Sequence, residues 1–454
     1  MRSRKHAHIV LLTLLSLLLC TMQGCLLKRV DHTPYTQTDY YRATLQELGQ
    51  QPPVTGESDS LQVGWAKVNI TPPAGSPLAG YGKRRGLRYS AVHDSVWVRT
   101  FAFDNGHTEV FFVSLDMLIA PMTVTAELEK AYPELGLKPG QVYLSATHTH
   151  TSFGGWGQKL IGWVMAGRYS EQIVKQTAAH IVRSIQLARQ NKQAARLGYG
   201  EAYISRLVRN RLTGSLAGRD TTVRFFKVEQ ASGKTAVLAT FAAHPTILPS
   251  MDPVLSRDYP GEFVDQLEKT VDFAAFSAGA VGSQAVVALH GDSYQSTAAV
   301  GQQLAAAIKR KLPAVEMQSK VRLGYSRHRL FLPEPQWRLT DNYRLAPSLF
   351  HWLFGKYPTY MNSMQLGEVV LLGVPADYSG ELLPELEQQG QPVMVTSFNG
   401  GYVGYITPDR YYKLDENETR AMNFYGPQSG SYFTEIMKRI RRSYLLKGSK
   451  TTKL

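Results

Sequence analysis

From Leu61 onward the chain alternates apolar and polar positions in short runs, interrupted by longer stripes of helical spacing. Strands are predicted over Gln62–Ile70, Val96–Phe103, Glu109–Asp116, Gln141–Thr147, Ala195–Gly198, Thr221–Val228 and Thr235–Ala243. Later ones are predicted over Phe273–Ala278, Lys320–Gly324, Met364–Gly373 and Val393–Phe398. These runs are rich in Val, Phe and Tyr and bounded by Gly, Pro and Asp. Between them, Tyr169–Arg189 puts Ile173, Val174, Ala178, Ile181, Val182 and Ile185 on one stripe, with Ser170 as cap. Thr297–Lys311 does the same with Val300, Leu304 and Ile308, and Glu262–Leu267 and Tyr432–Tyr444 are shorter candidates. Strands mixed with helices throughout predict an α/β (mixed α+β) domain, with mixed sheets flanked by helices. Tyr343–Tyr360, with Trp352 among several large apolar side chains, fits either a core helix or a lipid-facing insert.

The first residues are a different material. Arg2, Arg4 and Lys5 precede a nearly all-aliphatic run from Ile9 to Leu19, and Gly24-Cys25 follows. A basic start, a short apolar core and a small residue at the boundary are the pattern of a secretory signal. The glycine before Cys25 resembles a lipobox, although Met22 and Gln23 stand where leucine and a small residue are usual. The expectation is an exported, membrane-anchored lipoprotein held through acylated Cys25. Its segments are a leader (1–25), a tether (26–60) with a short helix near Asp39–Leu48, one catalytic domain (61–446) and a basic tail (447–454). The only two cysteines, Cys20 and Cys25, lie in the leader, so any transition metal must take His, Asp, Glu or Tyr ligands. The net charge of +14 gathers partly at the two ends. With no nucleic-acid motif in an exported chain, that charge points to anionic lipid headgroups rather than nucleic acid.

The sharpest chemical pattern is Ser145-Ala146-Thr147-His148-Thr149-His150-Thr151-Ser152, closed by Gly154-Gly155. Residues two apart on a strand share a face. His148 and His150 are therefore expected to continue the face of Val142 and Leu144, leaving the strand side by side. Imidazole is the commonest zinc ligand. A second apolar run ends at Phe241-Ala242-Ala243-His244-Pro245, where the proline stops the strand. Val374-Pro375-Ala376-Asp377 offers a carboxylate after a third, and Asn399-Gly400-Gly401-Tyr402-Val403-Gly404-Tyr405 sets phenols between glycines. Singly, each of these also fits hydrogen-bonded or packed side chains without a ligand.

Together, and in this order, they resemble the neutral/alkaline ceramidase family. The resemblance runs from Gly64-Trp65-Ala66-Lys67-Val68-Asn69-Ile70-Thr71-Pro72-Pro73 through Leu78-Ala79-Gly80-Tyr81-Gly82, the double-histidine motif and Arg209-Asn210-Arg211. It continues through Ser256-Arg257-Asp258-Tyr259-Pro260-Gly261 to the tyrosine segment. It implies Zn2+ bound by His148, His244, Asp377 and Tyr402, with Glu381 the alternative carboxylate. Asp377 stands where the family has glutamate, one methylene longer. The resemblance also implies proton transfer by His150, oxyanion stabilisation by Arg211 and Tyr411, and hydrolysis of an N-acyl amide such as ceramide. The family's Gly-Asp-x-Ser/Asn-Pro turn is lost: the segment Gly279–Val286 carries Ser283 and Ala285 at the aspartate and serine positions, which removes support for a serine nucleophile. No C-terminal β-sandwich is expected, since the chain ends soon after Gly426-Pro427. The competing readings are a hydrolase of another amide or ester, and a non-catalytic binding protein on the same fold.

Overall fold

Along Trp97–Asp104, Val98 and Ala102 face one way while Phe101 and Phe103 face the other, and all four are fully buried. A strand apolar on both faces must be covered on both, and the architecture follows from that. The computed structural model describes residues 26–214, 218–387 and 392–448. The leader, Cys25 and most of the basic tail lie outside them. Eight strands build the larger sheet: β1 (Gln62–Asn69), β2 (Trp97–Asp104), β3 (Glu109–Leu115), β4 (Val142–Ala146), β5 (Gln193–Tyr203), β6 (Thr222–Gln230), β7 (Thr235–Phe241) and β8 (Phe273–Ala278). They lie in the order β8-β7-β6-β5-β1-β2-β3-β4. Pairing is antiparallel except for β3–β4 and β7–β8.

A smaller sheet orders Val54–Ser58, β9 (Val321–Arg329), β10 (Tyr360–Leu366), β11 (Val369–Gly373) and β12 (Val393–Thr396). The single strand expected over Met364–Gly373 is a hairpin, because Gly367 takes φ +62° and reverses the chain. The two sheets pack face to face through Phe101, Phe103, Phe112 and Leu238 from one and Leu323, Met364 and Leu371 from the other. Each such side chain contributes about 1.5–3 kcal/mol by leaving water.

Helices close the outer faces. Helix α1 (Asp39–Gln50) lies near the start and α2 (Lys159–Ala166) follows β4. Helix α3 (Glu171–Gln190), capped by the Ser170 hydroxyl, lays Val174, Ala178, Ile181 and Ile185 over β1–β4. Helices α4 (Asp258–Leu267) and α5 (Ser293–Lys311) cover β6–β8. Helix α6 (Pro347–Phe354) is a short surface helix, and α7 (Ser429–Gly448) covers the outer face of the smaller sheet with Phe433, Ile436 and Ile440. The fold is thus mixed sheets flanked by helices, as the pattern predicted.

The segment expected to be a tether does not behave as one. Leu27–Arg29 pairs with Tyr343–Leu345, Val54–Ser58 pairs with β9, and α1 packs against β9 and α7. Its pairing is carried by the backbone while none of its strand side chains is buried, so no apolar rhythm announces it.

One feature of the larger sheet positions the site. Its two edge strands, β4 and β8, curl toward each other and pack together, with the Ser114 hydroxyl of β3 donating to the Phe276 carbonyl of β8 at 2.5 Å. Groups at the C-terminal ends of β4 and β7, far apart in the strand order, therefore meet.

Candidate metal centre

His148 leaves β4 by a route that alternation does not foresee. Its backbone is left-handed (φ +62°), its N–H donates to the Met117 carbonyl at 3.0 Å, and its ring stacks on Phe398 at 3.7 Å. Phe398 is itself at φ +65°, an unusual state for a bulky residue. Strain of this kind collects at functional sites, where surrounding structure holds it in place. His150 reaches the cluster by a turn rather than along the strand face. Arg84, buried and stacked on Tyr81, braces that turn by donating to the carbonyls of Ala79 and His150. Gly80 passes so close that a Cβ there would lie 3.0 Å or less from His150 atoms.

His244 follows β7, and its Nε2 lies 2.9 Å from that of His148; His150 Nε2 lies 3.1 Å from the same His148 nitrogen. Asp377 closes the group, its Oδ1 at 3.5 Å from His148 Nε2 and 3.4 Å from His244 Nε2. The Tyr402 hydroxyl donates to Asp377 Oδ2 at 2.7 Å. Tyr402 is aimed by its loop. Asn399, fully buried, takes a hydrogen bond from Asn362 and donates to the Leu144 carbonyl, tying the loop to β4 and β10.

The hydrogen bonds on the far side of the rings fix what the near side offers. His148 Nδ1 donates to the Leu118 carbonyl at 2.6 Å and His244 Nδ1 to the Val281 carbonyl at 3.1 Å. Carbonyls only accept, so both Nδ1 atoms carry the proton and both Nε2 atoms present lone pairs. Two lone pairs then face each other, while Asp377 Oδ1, buried, has no hydrogen-bond partner of its own. Ligands 2.0–2.1 Å from a tetrahedral zinc stand about 3.3 Å apart. The spacing and the imidazole–carboxylate donor set therefore fit Zn2+.

Burial holds His148 and His244 well below the usual histidine range, with neighbouring imidazoles and Arg211 adding to it. Burial, then Arg211 and Arg84, push His150 down to about 3. All three rings are neutral, the form that ligates. Burial pushes Asp377 up to about 7, against the pull of the Tyr402 hydrogen bond and Arg211. Metal uptake needs that carboxyl ionised, so affinity falls as pH drops below about 7. In calorimetric zinc titrations near pH 6, comparing buffers of different ionisation enthalpy, about one proton should leave per ion bound. Release of three protons would mean that the imidazoles had been charged.

Arg211 stands on the other side of His244. It donates to the Gly282 carbonyl and the Tyr405 hydroxyl, both at 3.0 Å, and its Nε pairs with Glu418 at 2.9 Å. Glu418 sits in a π-helical turn, Asn417–Ala421. The phenol that joins Arg211 is Tyr405, whose hydroxyl is 3.3 Å from His244 Nε2. Tyr411, the expected partner, is elsewhere: its hydroxyl donates to Glu381 at 3.0 Å, and none of its hydrogen bonds among the described residues reaches the imidazoles. Glu381 is thereby occupied, which leaves Asp377 as the carboxylate of the cluster. The pointer to Tyr405 lies in the short parallel pairing Asp377↔Tyr405.

The altered turn after β8 contributes backbone rather than a hydroxyl. Val281 and Gly282 offer the carbonyls just described, and Ser283 Oγ accepts from Gln284. A Cβ at Gly282 would lie 2.4 Å from the Asp377 carbonyl oxygen, so no side chain fits there.

Residues 61–296, half of the chain, match the family described as neutral/alkaline non-lysosomal ceramidase, N-terminal. The chain belongs to the neutral/alkaline ceramidase family. It is 24% identical over 227 residues to the neutral ceramidase of Pseudomonas aeruginosa, a match covering 46% of this chain and 34% of that protein. The matched stretch is thus about a third of the relative's length. Its fold superposes on the crystal structure of the Pseudomonas aeruginosa neutral ceramidase with a TM-score of 0.74 at 18% identity, over 85% of this chain and 75% of that one. A structure described as "Ceramidase complexed with C2" gives a TM-score of 0.74 at 17% identity, over 86% and 76%. In this chain of the ceramidase family the cluster holds an aspartate, Asp377, and the Ser283 hydroxyl on the turn after β8 is taken up by Gln284.

Proposed function

We propose that this protein is a zinc-dependent hydrolase of N-acyl lipid amides, with ceramide as the leading substrate. The observation that carries the reading is the pair of facing imidazole lone pairs with the unpartnered Asp377 oxygen beside them, in a chain of the ceramidase family. His148, His244 and Asp377 would hold the ion, with Tyr402 on the second Asp377 oxygen. Bound there, zinc supplies Lewis acidity toward the amide carbonyl and makes a water acidic near neutral pH.

The chain's own residues supply the rest. Tyr405, whose hydroxyl is 3.3 Å from His244 Nε2, and Arg211, which donates to that hydroxyl, would stabilise the charge that develops on the carbonyl oxygen. His150, whose Nε2 lies 3.1 Å from that of His148, would take a proton and pass it to the leaving amine. Tyr402 holds Asp377 in orientation, and burial keeps bulk water from competing for these groups. Relatives' substrates and the anchoring of the chain at a membrane through acylated Cys25 belong to the same proposal. A panel of N-acyl lipids read by released fatty acid tests it. Ceramide should be hydrolysed, a chelator should stop turnover, and added zinc should restore it. Turnover indifferent to the chelator would reject the metal, and a metal-free, folded, inert protein would favour the binding-protein reading.

A further inference from the structure

Helices α2 and α6 are short, apolar and packed against each other, yet they turn large side chains outward. Leu160 is 42% exposed, Trp163 50%, Trp352 66% and Tyr357 39%. The Tyr357 hydroxyl meets Gln158 at 3.4 Å and joins the end of one helix to the start of the other. Scattered single apolar residues on a surface need no explanation, but two tryptophans on paired helices form a patch. We infer that this face docks the protein on an anionic lipid surface.

Charge is the first reason. The three segments that build the face, residues 71–93, 154–170 and 342–367, contain no aspartate or glutamate. They carry exposed Lys83, Arg85, Arg88, Lys159, Arg168 and Lys356, none of which makes an ion pair among the described residues. The 82–86 turn lies against the end of α2, where Gly86 and Gly167 are in contact. Tryptophan and tyrosine surrounded by lysine and arginine suit the headgroup region, where rings sit at the boundary and cations meet phosphates. A protein partner of ordinary mixed charge would not need a face stripped of acids.

Position is the second reason. The Leu26 carbonyl accepts from the Ala346 N–H at 2.8 Å, directly before α6. Leu26 is bonded to Cys25, so the proposed acylation point is one residue away from this face. The same two helices border the metal centre. The Gly80 N–H, beside His150, donates to the Met165 carbonyl of α2 at 3.1 Å, and Tyr402 packs against the cluster around Phe350 of α6. The docking face and the candidate site are thus neighbours, although docking itself does not rest on the chemistry proposed above.

The test uses the full chain and vesicles of brominated phosphatidylcholine with about a third phosphatidylglycerol. Bromine quenches only tryptophans that enter the lipid, and the leader contains none. Quenching is expected, and Trp163→Ala/Trp352→Ala should remove most of it while circular dichroism stays unchanged. Lys159→Glu/Lys356→Glu should weaken partition onto these vesicles by at least about thirtyfold and leave neutral vesicles unaffected. His148→Ala should dock normally, so loss of catalysis and loss of docking are read separately. Absent quenching, or quenching that survives the double tryptophan substitution, overturns the inference. So does a dimer in solution that the same substitution dissociates, since the face would then be covered by a second copy.

Discussion

His244→Ala should lose its zinc on gel filtration and fall at least about a thousand-fold in turnover. Loss of a group that merely orients a metal ligand costs 10–100-fold in affinity, and His244 is placed as a ligand itself. Its Nε2 is one of the two facing lone pairs, and without it the site keeps only one imidazole of the proposed ligand pair. His148→Ala should match it. His150→Ala should differ in kind, retaining the metal while losing activity, because His148, His244 and Asp377 remain to hold the ion; loss of the metal would instead make His150, which stands in the same cluster, a ligand. Zinc content by atomic absorption beside kcat separates the cases. Full zinc occupancy in His244→Ala would remove that residue from the ligand set.

The second large effect concerns Arg211. Arg211→Met should lower kcat about a hundred- to a thousand-fold, as removing one oxyanion donor does, and should also destabilise the fold by about 3–5 kcal/mol. The stability loss comes from Glu418, whose side chain is only 10% exposed and would be left as a buried unpaired charge. Arg211→Met/Glu418→Gln should regain most of the stability, measured by urea unfolding, and none of the activity. Recovery of activity in the double variant would mean that Arg211 acts only through folding. Tyr405→Phe should reduce kcat as well, whereas Tyr411→Phe should leave it near wild type because its hydroxyl serves Glu381.

How far the sequence could be read depended on what carried each interaction. Strands buried on both faces, such as β2 and β8, and the striped helix α3 announce themselves because burial dictates their composition. The helices Met122–Glu129 and α2 did not, and α6 was one of two readings of Tyr343–Tyr360. Each has only eight residues, too few for a periodic stripe, and α2 is apolar on nearly every side. The meeting of the edge strands β4 and β8 brought the ends of β4 and β7, and with them His148 and His244, together, a closure that no local pattern encodes. The choice between Tyr405 and Tyr411 hung on the register of a two-residue strand pair, which propensity does not determine.

The meeting of β4 with β8 has one more consequence. The larger sheet shows no hydrogen-bonded ladder between these edges, so its seam is held by side chains. An ion gripped by His148 from one side and His244 from the other would act as a rivet across that seam. At a free concentration a thousand times its dissociation constant, such an ion adds about 4 kcal/mol to the folded state. Stripping it would therefore loosen the join between the ends of Val142–Ala146 and Thr235–Phe241, and the ion would be a structural part as well as a chemical one.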